Sequence, residues 1–420
     1  MKTKAVRIYG KEDLRLEEFE LPAIKDDEIL AKIVSDSVCM STYKLAVQGA
    51  DHKRAPKDID VNPTIVGHEF CGEILEVGSK WSNEFKPGDK FVIQPNIQMP
   101  ENVYAAPGYS FQYLGGDSQY VVIPNAFMER KCLLPYNGAA FYLGSVAEPM
   151  SCIIAGAHVN YHMKPGQNSY VHDMGIVEGG RMALLAGVGA MGLGTIDYSI
   201  HGPRRPSVLV VTDIDQARLD RAAAIFTPED AAAHGVKLTY VNTGNIEDVP
   251  AKLMEIGGGE FDDVYVYAPV PAVIEQGDKI LAYDGCLNFF AGPTNPALTA
   301  NFNFYNVHYK QSHIAGSSGG NTNDLIETVE LISNGTINPS AMITHVGGLD
   351  SAAETTLNLP NIKGGKKLIY THISMPLTAI SDMKASDDPV LVKCGELCDK
   401  TNGLWNPEAE AYLLANGKAI

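Results

Sequence analysis

The stretch Met182-Ala-Leu-Leu-Ala-Gly187-Val-Gly189-Ala-Met-Gly192 decides how the rest of the chain is read. A short apolar run, Met182 to Ala186, leads straight into a G-x-G-x-x-G turn, and Leu193 to Ile200 suits a helix. Strand, tight turn and helix are the context in which that pattern carries meaning. Gly187 is expected to allow the turn, and Gly189 to let the N–H groups around Ala190 and Met191 approach a pyrophosphate. Gly192 lets the helix pack on the strand. The diphosphate would then sit at a helix N-terminus, where unpaired N–H groups and the macrodipole favour an anion.

A second apolar strand follows, Val208-Leu-Val-Val-Thr-Asp213, with the acid at its end. A carboxylate there accepts from an adenosine ribose 2′-OH and repels a 2′-phosphate, so NAD(H) is expected, with NADP(H) as the alternative. Asp213 lies further on than the usual roughly twenty residues. The Pro-rich insert His201-Gly-Pro-Arg-Arg-Pro206 accounts for the delay. Asp215 reads as the cap of a helix starting at Gln216.

A chain of 420 residues suggests two or three domains. The formal net charge of −17 argues against a nucleic-acid surface and against an anionic membrane. An anionic substrate must therefore meet a local basic patch. The N-terminus has no apolar signal core, and no apolar run approaches the roughly twenty residues of a membrane span. The seven cysteines, Cys39, Cys71, Cys132, Cys152, Cys286, Cys394 and Cys398, are an odd and scattered set. They point to a reducing cytoplasm rather than a disulfide framework.

Residues 1–155 read as β-rich, with strands such as Ile29–Ser35, Phe70–Val77 and Lys90–Pro95 set off by Gly, Pro and Asp turns. Residues 156–317 alternate strand and helix, which predicts a mostly parallel sheet. Residues 318–420 return to the first domain through strands near Met342–His345 and Leu368–Thr371. The tail from Pro376 matches no pattern.

Three separated segments carry groups that suit zinc. Cys39 follows an apolar strand, His68 and Glu69 open another, and Glu148 precedes Pro149. One thiolate, one imidazole and one or two carboxylates suit this borderline ion and leave a position open for chemistry. Taken singly, each residue reads as ordinary core or helix start.

In combination, Gly67-His68-Glu69 after the Cys39 segment, then Glu148-Pro149, then the glycine turn, resemble the zinc-dependent medium-chain dehydrogenase/reductase family over residues 1–372. Within it, Glu-Pro in place of a third thiolate is similar to sorbitol dehydrogenases and their sugar-phosphate relatives, the L-sorbose 1-phosphate reductase group among them. The resemblance implies an α/β fold, a Rossmann doubly wound parallel sheet plus a β-rich GroES-like catalytic domain. It implies one catalytic zinc per chain held by Cys39, His68 and either Glu69 or Glu148, with Ser41 passing the hydroxyl proton. Relatives of this kind are homo-oligomers, dimers or tetramers.

Three departures stand out. The family's lobe of four cysteines is missing from Ile97–Tyr120, so no structural zinc is expected there. The Asp that orients the metal-bound His is replaced by Thr42, and the relay His by Lys44. The basic loop Gly49-Ala-Asp-His-Lys53-Arg54-Ala-Pro-Lys57 borders the substrate cleft in the family, so Arg54 and Lys53 are candidates for a phosphate. The expected reaction joins a ketose phosphate and a hexitol phosphate by hydride transfer with NAD(P)H. The alternatives are a dehydrogenase of unphosphorylated polyols, or a metal-free nucleotide-binding protein without polyol chemistry.

Overall fold

The computed structural model describes residues 1–420. It divides into two compact units, one made of Met1–Ser151, Asn321–Gly335 and Ile343–Ile420, the other of Cys152–Gly320 and Thr336–Met342. The sequence pattern alone places everything after residue 317 with the first unit. The excursion Thr336–Met342 instead packs with the second. There the Asn338 N–H donates to Asp197 Oδ2 at 2.7 Å and Arg221 Nη2 donates to the Ala341 carbonyl at 3.0 Å.

The second unit is built on six parallel strands. Their order is Lys237–Asn242, Val208–Asp213, Arg181–Leu185, Phe261–Val266, Leu281–Phe289 and His313–Ala315. The chain enters at the middle and winds outward both ways, the doubly wound Rossmann arrangement. Its inner strands are covered on both faces, which is why Leu209-Val-Val and Val264-Tyr-Val read as unbroken apolar runs. Both turns expected to meet the dinucleotide, after Leu185 and after Asp213, lie at the carboxyl ends of adjacent strands.

The first unit is a mixed sheet centred on Ile29–Val38. That strand pairs antiparallel with Phe70–Val77, Tyr120–Ile123 and Lys366–Tyr370. Its last six residues are all buried, because helices and loops cover both faces there. Residues 97–120, where family members carry the cysteine lobe, bring Ile97, Ala105, Tyr109 and Leu114 into the core.

The tail that no pattern placed is part of this unit. Thr378–Ala379 adds an edge strand to Ile343–Gly348, and two helices follow, Pro389–Asp399 and Pro407–Asn416. Trp405 is fully buried and donates from Nε1 to the Tyr370 hydroxyl at 2.8 Å. Cys394 and Cys398 are buried under the same helices, as packing residues.

Candidate metal centre and dinucleotide turn

Three strand ends build the candidate metal centre in the first unit. Cys39 follows the last residue of Ile29–Val38 and stands at the N-cap of the helix Met40–Gln48. His68 and Glu69 immediately precede Phe70–Val77, and Lys366 opens the strand Lys366–Tyr370. Antiparallel register sets Asp36 against Phe70 and Val38 against Lys367, so all three ends fall at the same edge. Gly67, at φ +88°, makes the approach feasible: a Cβ there would lie 2.5 Å from Asp36 Oδ2 and 2.7 Å from the Asp117 nitrogen.

Ligand atoms of Cys39, His68 and Glu69 lie within 4.8 Å of one another. His68 is buried, and that burial holds its ring neutral, down at about 4, the state a ligand needs. Its Nδ1 faces Thr42 Oγ1 at 3.3 Å. The missing family Asp is therefore replaced by a hydroxyl that can accept from Nδ1–H and leave Nε2 free for a metal. Burial, with Glu69 and Glu148 adding to it, pushes the Cys39 thiol up to about 12. A cation must take the place of that proton before the sulfur becomes a thiolate. The donor set fits zinc.

The two glutamates have different surroundings. Both oxygens of Glu69 accept from Lys366 Nζ at 2.6 Å, and Ser37 Oγ also donates to it. Burial opposes its charge, but Lys366 and His68 more than offset that and lower its pKa. The Glu69 N–H in turn donates to Asp36 Oδ1 at 3.1 Å. Glu148 is half-buried in the first turn of the helix Ala147–Val159 and close enough to influence Cys39 and Lys366, although it does not share the 4.8 Å cluster.

The residues expected to meet substrate separate. Arg54 is half-buried, with its guanidinium 5.2 Å from the centre of the Tyr109 ring, and that ring lies 5.0 Å from His68. Lys53 is exposed, with its ammonium 5.0 Å over the exposed Tyr104. The two neighbouring cations of this loop lie over different rings. Ser41 is in side-chain hydrogen-bond contact with Tyr109, whose buried hydroxyl stays protonated. Tyr109 and Lys366 had no signal in the sequence beyond being ordinary core or strand residues, and Thr42 was marked only as the residue in place of the family's Asp.

In the second unit the glycine turn departs from expectation in one respect. The left-handed residue is Ala186, at φ +55°, not Gly187. Gly187 is needed for closeness instead: a Cβ there would sit 2.6 Å from Leu184 Cβ, and one on Gly192 would sit 2.1 Å from the Gly187 carbonyl. Gly189 is the N-cap of the helix Ala190–His201 and supplies no side-chain cap, so the first N–H groups, those of Ala190 and Met191 among them, face outward for a phosphate. Asp213 Oδ1 accepts from the N–H groups of Ile214 and Asp215 at 2.8 and 3.0 Å, while Oδ2 is 3.9 Å from Arg218 Nη1. Asp213→Asn keeps the Oδ1 acceptor and removes the charge facing Arg218. The kcat/KM ratio of NADPH to NADH is expected to rise about 10- to 100-fold. An unchanged ratio would take Asp213 out of ribose recognition.

A family model for the alcohol dehydrogenase GroES-like domain matches residues 25–132, and one for zinc-binding dehydrogenases matches residues 208–334. The L-sorbose 1-phosphate reductase of Klebsiella pneumoniae is 46% identical over 418 residues, covering 100% of this chain and 98% of its own. The chain belongs to the zinc-binding alcohol dehydrogenase family. A second member, the mannitol-1-phosphate 5-dehydrogenase of Aliivibrio fischeri, is 50% identical over 415 residues, covering 98% of this chain and 97% of its own. Among solved structures, the 2R,3R-butanediol dehydrogenase from Bacillus subtilis matches with a TM-score of 0.68 at 20% identity, covering 88% of this chain and 99% of that one. That likeness speaks to the fold. With its family, the chain is an oxidoreductase that uses zinc and a nicotinamide cofactor.

Proposed function

We propose that this dehydrogenase interconverts a ketose phosphate and a hexitol phosphate, with Cys39, His68 and either Glu69 or Glu148 holding zinc. The observation that carries the reading is Arg54 over Tyr109, with Tyr109 against His68. It puts one cationic fork beside the metal ligands of a protein whose net charge is −17. The two full-length relatives named above are, by name, a sugar-phosphate reductase and a hexitol-phosphate dehydrogenase. An L-sorbose 1-phosphate type of ketose phosphate is the substrate this favours.

Zinc held by Cys39, His68 and either Glu69 or Glu148 would supply Lewis-acid polarisation of a carbonyl oxygen, and bound NADH would supply the hydride. The chain's own groups do the rest. Arg54 pairs with the phosphate and orients the sugar. Thr42 fixes the His68 ring, and Ser41 holds the proton that the product hydroxyl needs. In the reducing direction NADH and one proton are consumed for each carbonyl turned into an alcohol, and the reverse direction releases both. Gly187, Gly189, Ala190, Met191, Gly192 and Asp213 hold the dinucleotide.

Arg54→Ala is expected to raise KM for the phosphorylated sugar about 10- to 100-fold, the loss of one charge-assisted hydrogen-bonding partner. KM for an unphosphorylated polyol should stay as it was. An equal effect on both would favour the dehydrogenase of free polyols.

We also propose a cytoplasmic homo-oligomer. All seven cysteines are free thiols, and no helix is long and apolar enough to cross a membrane. His313–Ala315 is an edge strand with Ile314 exposed, beside the exposed aromatics Phe304, Tyr305 and Tyr309. An open strand of this kind is usually covered. Sedimentation velocity decides it, and a monomer at micromolar concentration would refute the oligomer.

A further inference from the structure

The second unit carries another group of metal-ligating side chains, on residues with no part in the chemistry above. His201 ends the helix Ala190–His201, Asp230 lies in the helix Pro228–Ala233, and His234 follows as its C-cap. Asp230 and His234 are four residues apart, the spacing that puts two side chains on one helical face. One ligand atom from each of the three lies within 4.8 Å of the others. His201 Nε2 is 3.0 Å from Asp230 Oδ2, and the two imidazole centroids are 4.6 Å apart.

The first ligand is held in place from behind. His201 Nδ1 is 2.7 Å from Oδ1 of Asp197, whose side chain is only 2% exposed. The other oxygen of Asp197 accepts the Asn338 N–H at 2.7 Å. A buried carboxylate on one ring nitrogen, with the opposite nitrogen aimed at further donors, is how metal-bound histidines are oriented. His201 stands between two carboxylates, Asp197 on Nδ1 and Asp230 on Nε2. A divalent ion among His201, Asp230 and His234 would balance the two aspartates.

We propose that His201, Asp230 and His234 form a second divalent-metal site, separate from the catalytic one, which ties the ends of two helices of the nucleotide-binding unit. Two imidazole nitrogens and one carboxylate oxygen select a borderline ion such as Zn²⁺, Co²⁺ or Ni²⁺ over Mg²⁺ or Ca²⁺. The ion also lies at the C-terminal end of the helix Ala190–His201, where the macrodipole favours positive charge.

The test is a Co²⁺ and Zn²⁺ titration of chelator-stripped full-length protein, read by metal content, by cobalt d–d absorption and by the thermal unfolding midpoint. Wild type is expected to take two equivalents and Cys39→Ser one. His234→Ala in the Cys39→Ser background is expected to take none and to lose the zinc-induced rise in midpoint. Asp230→Asn, which keeps both imidazoles and the helix, should weaken the same equivalent, and it serves if the His234 variant does not fold. His234→Ala alone should leave kcat unchanged. The proposal is overturned if Cys39→Ser takes no ion at millimolar cobalt, or takes one that neither His234→Ala nor Asp230→Asn affects. Because the Cys39→Ser background removes the catalytic ion, neither result depends on the sugar-phosphate reading.

Discussion

Lys366→Met is expected to lower folding stability by about 3–5 kcal/mol, and Lys366→Arg to restore most of it. Lys366 and Glu69 are 9% and 1% exposed and form a salt bridge at 2.6 Å. Removing the ammonium leaves a buried carboxylate whose remaining side-chain donor is Ser37. Burial opposes the charge on Lys366, but Glu69, Cys39 and Glu148 together raise its pKa above the usual lysine value. The same cation therefore balances three groups of the metal centre, and its loss should also weaken zinc retention. Denaturant unfolding in the presence of chelator measures the stability term free of metal. A change below about 1 kcal/mol, the size of an exposed pair, would show that Lys366 is not what holds Glu69. The folded pKa of Glu69 is depressed. Its contribution is therefore present at neutral pH and lost as pH falls below the ordinary glutamate range. Lys366→Met should flatten that acid limb.

Glu410→Ala is expected to cost about 3–5 kcal/mol, because three donors, two of them buried, lose their acceptor at once. The carboxylate accepts from the Phe141 and Tyr142 N–H groups at 2.7 and 2.8 Å and from the Tyr370 hydroxyl at 3.0 Å. It thereby joins the C-terminal helix Pro407–Asn416 to the short helix Phe141–Ser145, which runs directly into the segment of Glu148. Burial outweighs those hydrogen bonds and pushes its pKa up to about 7. For an acid raised in the folded state the sign is opposite to that of Glu69: stability falls as pH rises from the ordinary glutamate value toward 7. Glu410→Gln, which keeps one acceptor oxygen and cannot ionise, should remove this decline. If the two pH profiles coincide, Glu410 does not titrate in that window. Metal content of Glu410→Ala reports whether the tail also positions Glu148.

The contrast between these residues shows where the sequence was informative. The glycine turn, the apolar strands and Asp213 are local patterns. Each is set by backbone sterics and by hydrogen bonding within a few residues, so the parallel sheet and the dinucleotide turn were legible without coordinates. Cys39, His68 and Glu148 carried a metal reading only in combination, because each alone reads as a core or helix-start residue. Even within the glycine turn, the left-handed position fell on Ala186. Neighbouring strands impose that conformation, and residue type does not announce it.

Tertiary structure alone decided the groups that complete the sites. Glu69 meets Lys366 across 297 positions of sequence, and the Phe141 N–H meets Glu410 across 269. Thr42 reaches His68 over 26 positions, and Tyr109 joins Arg54 to the metal ligands. Lys366, Tyr109 and Glu410 have neither a periodicity nor a motif. Their roles come from antiparallel register and from the cost of burying an unpaired charge or donor, which exists only once the chain has closed around them. By itself the sequence determined the strand–turn–helix frame and the types of group available for zinc. The closed fold determined which charges, hydroxyls and amides face them.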